Sequence, residues 1–333
     1  MAEQTKHKHR YGWFIGIAAI GVLALVWRHH AEPQKIAEVA LHARPAWLFL
    51  AAALQLLTYP CIALVWANTI RESGDRAPPF WKLMRLSVAE LFTDQTIPSG
   101  GMSGTVLVVA SLKKRGVDQR GAMAAVTASL AGFYVAQLVA VLIAFAVLVV
   151  SGHFDGWEAT VSIVAVVAAI VIPLPLAVSL AGAMDKLPAR IRKLRAIAEL
   201  REHIDDAPKD VIFSPHVFLV AIALRFVVIV LDGATLALCL VAVGSPLLLV
   251  HAISAYVLAY VVGSASFLPG GLGTFEVTSS TLLADIGAPF FAAAPATLLM
   301  RALSFWLPMV PGIWFVHREV KKAEGGEKGA SAT

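Results

Sequence analysis

Residues 268–273 read Leu268-Pro269-Gly270-Gly271-Leu272-Gly273 and interrupt an apolar stretch that runs from about residue 247 to residue 286. A second interruption, Ile97-Pro98-Ser99-Gly100-Gly101, divides an earlier apolar stretch over about 83–111. Proline lacks a backbone N–H group and glycine adds backbone freedom, so both sequences break a helix. In a membrane such a break leaves backbone groups that lipid cannot satisfy. We therefore expect two broken helical hairpins, each facing protein or a wet cavity.

The composition outside these interruptions is that of a polytopic membrane protein. Of the 333 residues, 58% are hydrophobic and 15% are charged, whereas soluble domains average about half and about a quarter. The apolar residues form blocks long enough to cross about 30 Å of hydrocarbon as helices. These blocks lie at about 11–27, 46–68, 122–150, 158–182, 215–241 and 292–316. The predicted fold class is all-α, a helical membrane bundle with about six full crossings and two re-entrant hairpins.

The distribution of basic residues predicts the orientation in the membrane. Lys and Arg gather at 113–120, at 186–201 and at 318–322, whereas 151–157, 242–246 and 285–291 contain neither. Basic connections stay on the cytoplasmic side, so we expect a bacterial inner-membrane protein with both termini in the cytoplasm. The net charge of +5 then reflects topology and lipid headgroups, and we expect no nucleic-acid partner.

This orientation makes the two hairpins enter from opposite faces. The stretch 83–111 is predicted to enter and leave on the cytoplasmic side, and 247–286 on the outside. The segment 247–267 is also long enough to cross fully, and that alternative stays open. Because the chain has the order span, broken hairpin, span twice, at an offset of about 170 residues, we expect an inverted repeat of the kind found in secondary transporters.

The domain organisation follows from this repeat. We expect one membrane domain over 1–318, made of repeat 1 (about 46–150), the linking span 158–182 and repeat 2 (about 216–318). Between the repeats, apolar residues recur every three or four positions over 185–206, with basic residues between them. This pattern is typical of an amphipathic helix on the cytoplasmic leaflet; a solvated or protein-packed helix is the alternative. The tail 319–333 is expected to be disordered.

Polar residues near the breaks are the candidate binding residues. A helix that begins after a break presents free N–H groups and a positive dipole end, which suit a phosphate or carboxylate. Ionisable residues at membrane depth are costly without a partner or water, so they add to the set. The substrate-binding candidates are Glu90, Asp94, Pro98, Ser99, Gly100, Gly101, Pro269, Gly270, Gly271, Gly273, Thr274, Glu276, Arg301 and Arg225.

Each candidate also has a structural interpretation. The breaks are packing kinks in that interpretation, and the charged residues form ion pairs, most of all Arg225 and Asp232. Other polar residues in the apolar blocks are more typical of interhelical hydrogen bonds. These residues are Gln55, Tyr134, Gln137, His251, Tyr256 and Tyr260. No nucleotide-binding loop, metal-ligand spacing or nucleophile motif is present, so we expect no cofactor and assign no catalytic residue.

The stretch Phe267–Glu276, followed by Gly287, Arg301 and Gly312, resembles the flippase-like family of the lysylphosphatidylglycerol synthase transmembrane region. Pro98–Gly101 and the later Leu112-Lys113-Lys114-Arg115-Gly116 also match, and the resemblance covers roughly 12–318. One departure is Met102, where many members carry an acidic residue. This leaves Glu90 and Asp94 as the nearby acids.

The resemblance implies movement or handling of polar or isoprenoid-derived lipids, since relatives are linked with aminoacylated phospholipids and some with hopanoids. The full synthases add a soluble aminoacyl transferase domain, and this sequence ends soon after its last predicted span, so we do not expect lipid aminoacylation. The leading hypothesis is a lipid translocase that binds the headgroup between the two hairpins. The alternatives are a membrane-embedded lipid-modifying transferase, with Glu90, Asp94 or Glu276 as base, and a non-transporting partner of a soluble lipid-biosynthesis enzyme, recruited through 185–206.

The predicted orientation is testable by cysteine accessibility. After Cys61 and Cys239 are replaced by alanine, single cysteines are introduced into 113–120 and into 285–291. An impermeant thiol reagent added to intact cells should label only the second set. Labelling of both sets from one side would contradict the inverted repeat.

Overall fold

The computed structural model describes residues 33–96, 102–153, 156–181, 208–266, 268–309, 311–312 and 314–315. These residues are almost entirely helical, and no strand occurs among them. The predicted all-α fold class is therefore confirmed. The first apolar block 11–27, the break at 97–101, the amphipathic segment 185–206 and the tail 319–333 lie outside the described residues.

The described residues form thirteen helices and two short irregular turns. The helices are α1 (Pro33–Leu41), α2 (Pro45–Leu56), α3 (Thr58–Glu72), α4 (Phe80–Thr96), α5 (Met102–Lys114), α6 (Gln119–Val150), α7 (Trp157–Val171), α8 (Leu174–Leu180), α9 (Lys209–Ile212), α10 (Pro215–Ala242), α11 (Leu249–Ala265), α12 (Thr274–Asp285) and α13 (Phe290–Arg301). A 3-10 turn over Pro269–Gly271 joins α11 to α12, and a π-helical turn over Ala302–Trp306 follows α13.

Five helical segments of the described chain are long and apolar enough to cross a membrane. They are Pro45–Glu72, Gln119–Val150, Trp157–Leu180, Pro215–Ala242 and Phe290–Met309. Each coincides with a predicted apolar block. The hydrophobic pattern therefore predicted all five candidate spans found among the described residues. Leu249–Ala265 is also apolar but shorter than these five.

The chain divides into two compact units. Unit 1 contains the described residues of 33–55, 138–169 and 230–303. Within it, α11 packs on α12, α12 on α13, and α13 on α1. Glycines permit the closest approaches: a methyl group on Gly233 would lie 2.9 Å from the Cα of Ile253, and one on Gly271 would lie 3.1 Å from the backbone of Gly263. Small residues at helix contacts are the usual means of tight packing in membranes.

Unit 2 contains the described residues of 56–137, 170–229 and 304–315. Here α4 packs between α3 and α5. The apolar core of this unit includes Trp66, Ile70, Leu83, Leu86 and Leu112, each fully buried. This core holds the two legs of the first hairpin, α4 and α5, together.

Both interrupted stretches thus consist of two helices, α4 with α5 and α11 with α12, as the proline and glycine positions predict. The opposite orientation of the two repeats stays a prediction, as does the membrane face that each hairpin enters.

A test of the packing uses Gly132 on α6. A Cβ at this position would lie 2.8 Å from the backbone carbonyl carbon of Ala221 on α10. We expect Gly132→Leu to lower the free energy of unfolding by about 1–3 kcal/mol through overpacking. Thermal unfolding of the purified protein in detergent measures it. Val139→Leu is the control, because Val139 lies on the same helix and is 41% exposed. Equal melting temperatures for the two variants would show that this contact is not tight.

Candidate functional site

The turn between α11 and α12 is fixed by its glycines. Gly270, Gly271 and Gly273 have φ angles of 58°, 65° and 84°. Residues with a side chain rarely adopt such angles, whereas glycine does so without steric cost. The Pro-Gly-Gly-Leu-Gly sequence therefore folds locally into a turn that ends α11 and starts α12 at Thr274.

Hydrogen bonds of Glu276 and Arg301 stabilise this turn. The Gly273 N–H donates to Oε2 of Glu276 over 2.6 Å, so the Glu276 carboxylate caps the start of its own helix. Arg301 donates from Nε to Oε1 of Glu276 over 2.8 Å and from Nη2 to the carbonyl oxygen of Gly270 over 2.6 Å. The guanidinium also lies over the Phe275 ring, 5.0 Å from its centroid. A residue of α13 thereby holds both sides of the break.

This arrangement fills the position at which the sequence predicts a bound anion. The N-terminus of α12 faces the carboxylate of Glu276, and the charge of Arg301 is neutralised by the same carboxylate. The structure thus brings together five predicted binding residues, Gly270, Gly273, Thr274, Glu276 and Arg301. Hydrogen bonds join Glu276 to Gly273 and Arg301, and Arg301 to Gly270. They form a closed cluster in unit 1.

The first hairpin carries a related contact in unit 2. Oδ1 of Asp94, near the end of α4, accepts the backbone N–H of Gly104 over 2.7 Å in the first turn of α5. In each hairpin, a carboxylate side chain therefore accepts a backbone N–H group at the start of the second helix. The predicted residues Pro98, Ser99, Gly100 and Gly101 lie outside the described residues.

Arg225 has a different environment, also within unit 2. Its Nε donates to Oγ of Ser129 over 3.1 Å, its Nη2 donates to the same oxygen over 2.5 Å, and its Cζ lies 5.9 Å from the Phe133 ring centroid. Glu90 on α4 interacts electrostatically with Arg225. No carboxylate of the described chain, Glu90 included, lies within the 4.0 Å ion-pair distance of Arg225. This arginine lies within a candidate span, and among the described residues its hydrogen-bond acceptor is the Ser129 hydroxyl alone.

A third polar group surrounds Asp232 in unit 1. Gln55 Nε2 donates to Oδ1 over 2.9 Å, and the Tyr256 hydroxyl donates to Oδ2 over 2.9 Å. The interhelical hydrogen bonds predicted for Gln55 and Tyr256 are confirmed. His251 instead contacts a turn residue, because its Nε2 lies 2.9 Å from Oγ of Ser151, which follows α6. Sequence reasoning did not single out Ser129 as the partner of Arg225. Nothing in the sequence signals it, because serine is common in membrane helices.

Comparison with known proteins agrees with this architecture. Residues 13–312 match the family model described as the lysylphosphatidylglycerol synthase TM region. This match confirms the family resemblance and covers every candidate span that the structure describes. Over 60 residues the chain is 40% identical to a UPF0104 membrane protein of Methanothermobacter thermautotrophicus. That match covers 18% of this chain and 18% of the relative.

The closed cluster makes a stability prediction. The Arg301 and Glu276 side chains are only 11% and 12% exposed, so Arg301→Gln leaves a carboxylate buried without its counter-charge. We expect a loss of about 3–5 kcal/mol in the free energy of unfolding, and a similar loss for Glu276→Gln. The double variant should lose less than the sum of the two.

The ion pair of Arg120 with Asp210 is the matched control, because these side chains are 57% and 66% exposed. Arg120→Gln should change the free energy of unfolding by less than about 1 kcal/mol. Additive losses for Glu276 and Arg301 in a double-mutant cycle would show that the two residues are not coupled.

Proposed function

This chain belongs to the lysylphosphatidylglycerol synthase TM region family, and from that premise we propose that it moves a polar or isoprenoid-derived lipid across the membrane. In this proposal the chain lies in the bacterial inner membrane with both termini in the cytoplasm, and its ligands are membrane lipids. The observation that carries the proposal is the environment of Arg225.

Arg225 supports an anion site because its charge is not neutralised by contact. A guanidinium at membrane depth is costly unless it pairs with an opposite charge or meets water. The Ser129 hydroxyl satisfies hydrogen bonds but supplies no negative charge. A lipid phosphate supplies that charge, and its oxygens match the planar donors of arginine in a bidentate geometry.

Glu90 adds a preference among headgroups. Glu90 lies close enough to Arg225 for an electrostatic interaction, so a phosphate that binds Arg225 meets a second negative charge when Glu90 is ionised. A headgroup with an ammonium group beside its phosphate offsets that repulsion, because it offers one charge to each side chain. We therefore propose a headgroup carrying both charges as the preferred ligand, ahead of a purely anionic one.

The closed cluster supports a translocase over a lipid-modifying transferase. A general base needs a carboxylate that is free to take a proton from its substrate. Glu276 is ion-paired with Arg301, and Asp94 already accepts a backbone N–H group. Two of the three acids considered as bases therefore have structural partners, and Glu90 is the one that keeps the transferase alternative open.

The test is lipid movement by the purified full chain in liposomes. Fluorescent lipids with a zwitterionic, an anionic or a neutral sugar headgroup are reconstituted, and an impermeant quencher reports the fraction exposed over time. We expect the zwitterionic lipid to move fastest. Arg225→Gln should slow it by about tenfold or more, since about 1.4 kcal/mol of lost binding is a factor of ten. Arg225→Lys, which keeps the charge, should lose less.

Arg120→Gln serves as the control for a general loss of positive charge, because Arg120 is exposed at the first turn of the candidate span Gln119–Val150. Movement of all three lipids at the rate of protein-free liposomes would overturn the translocase. An Arg225→Gln variant as fast as the wild-type chain would overturn the headgroup site.

A further inference from the structure

Asp232 is a carboxylate near the middle of the candidate span Pro215–Ala242. Each of its oxygens accepts one hydrogen bond, from Gln55 Nε2 on α2 and from the Tyr256 hydroxyl on α11, both over 2.9 Å. Both donors are neutral. No Lys, Arg or His of the described chain forms an ion pair with Asp232, in contrast to Glu276.

The side chains that contact Asp232 come from two other helices. On α2 the contact is Gln55, which does not titrate. On α11 it is Tyr256, whose ring lies 5.9 Å from that of Tyr260. Arg301 on α13 is the cation that acts electrostatically on Tyr256, and it is paired with Glu276. The environment therefore offers the carboxylate hydrogen bonds without an opposite charge in contact.

Such an environment supports both protonation states. The ionised form gains from two donors, yet a charge at membrane depth without a cation remains costly. The protonated form carries no charge, and it needs one acceptor for its O–H group. Tyr256 supplies this acceptor, because a phenol hydroxyl both donates and accepts. Rotation of that hydroxyl reverses the hydrogen bond, so the same two oxygens hold either state.

From this geometry we propose that Asp232 is a proton-binding site, which takes up H⁺ at Oδ2 as the Tyr256 hydroxyl turns from donor to acceptor. This step adds one proton to the carboxylate and reverses the direction of one hydrogen bond, and no other bond changes. A metal cation fits less well, because both oxygens receive N–H or O–H hydrogens and the described residues contain no cluster of three metal-ligating side chains.

The site is connected by contacts to the turn of the second hairpin. The Tyr256 ring meets the Phe275 ring edge-on at 5.9 Å, and Phe275 lies beneath the guanidinium of Arg301. These ring contacts therefore connect the hydrogen bond at Asp232 to α11 and to the turn that follows it. Buried carboxylates in membrane helices serve as proton relays in pumps and transporters.

Infrared difference spectroscopy of the full chain in liposomes tests the proposal without any lipid-transport assay. A protonated carboxyl group has a carbonyl stretch that its ionised form lacks. The chain has 22 Asp and Glu residues, so the band of Asp232 is read from the difference between the pH titrations of the wild-type chain and of Asp232→Asn. That difference should contain one titrating carboxyl band. Asparagine keeps an oxygen that accepts from Gln55, so this variant retains part of the network. Asp210→Asn is the control, because this carboxylate is exposed and lies outside the candidate spans, and it should keep the band of Asp232.

Tyr256→Phe provides a second readout if the asparagine variant does not fold. It removes one donor to the ionised carboxylate, so the midpoint of the band should move upward by about one to two pH units. The proposal is overturned if no titrating band depends on Asp232, or if Tyr256→Phe leaves the midpoint unchanged. A midpoint that sodium ions shift would identify a metal-cation site instead and would also overturn it.

Discussion

A helix that ends within hydrocarbon leaves backbone N–H and C=O groups that only the protein can satisfy. The turn between α11 and α12 meets this constraint with two side chains. Glu276 accepts the N–H of Gly273, and Arg301 donates to the carbonyl of Gly270. Because these side chains also pair with each other, the turn gains its hydrogen bonds without leaving a net charge. At the predicted depth of this hairpin in the membrane the exchange is necessary, since lipid offers no substitute.

The glycines of the turn serve the same constraint. Positive φ angles at Gly270, Gly271 and Gly273 let the chain reverse within a few residues, so few backbone groups are left unbonded. Gly271 also lies against the backbone of Gly263, where a side chain would be crowded. The Pro-Gly-Gly-Leu-Gly sequence is therefore an architectural element in this structure. The same role is visible in the first hairpin, where Asp94 accepts the N–H of Gly104.

The sequence predicted the described spans because hydrophobic length is a local property. The block 122–150 became Gln119–Val150, and 215–241 became Pro215–Ala242. The proline and glycine positions likewise predicted that each hairpin would be interrupted. Partners were harder to foresee: Gln55 and Asp232 are 177 positions apart, and only the packed helices bring them together. The π-helical turn at Ala302–Trp306 was also not predicted, because its own five residues include no proline or glycine.

The three ionisable residues Arg301, Asp232 and Arg225 show why residue type alone does not assign a role in a membrane. Electrostatic interactions strengthen as the dielectric constant falls, so the compensation around each charge decides what it can do. Arg301 has a carboxylate in contact, so its charge is already compensated by Glu276. Asp232 has neutral donors only, so its charge is free to change with the proton. Arg225 keeps its proton at any physiological pH, and for this reason the proposal assigns it an anion from outside the chain. In these proposals the degree of compensation separates a structural charge from a titrating one and from a binding one.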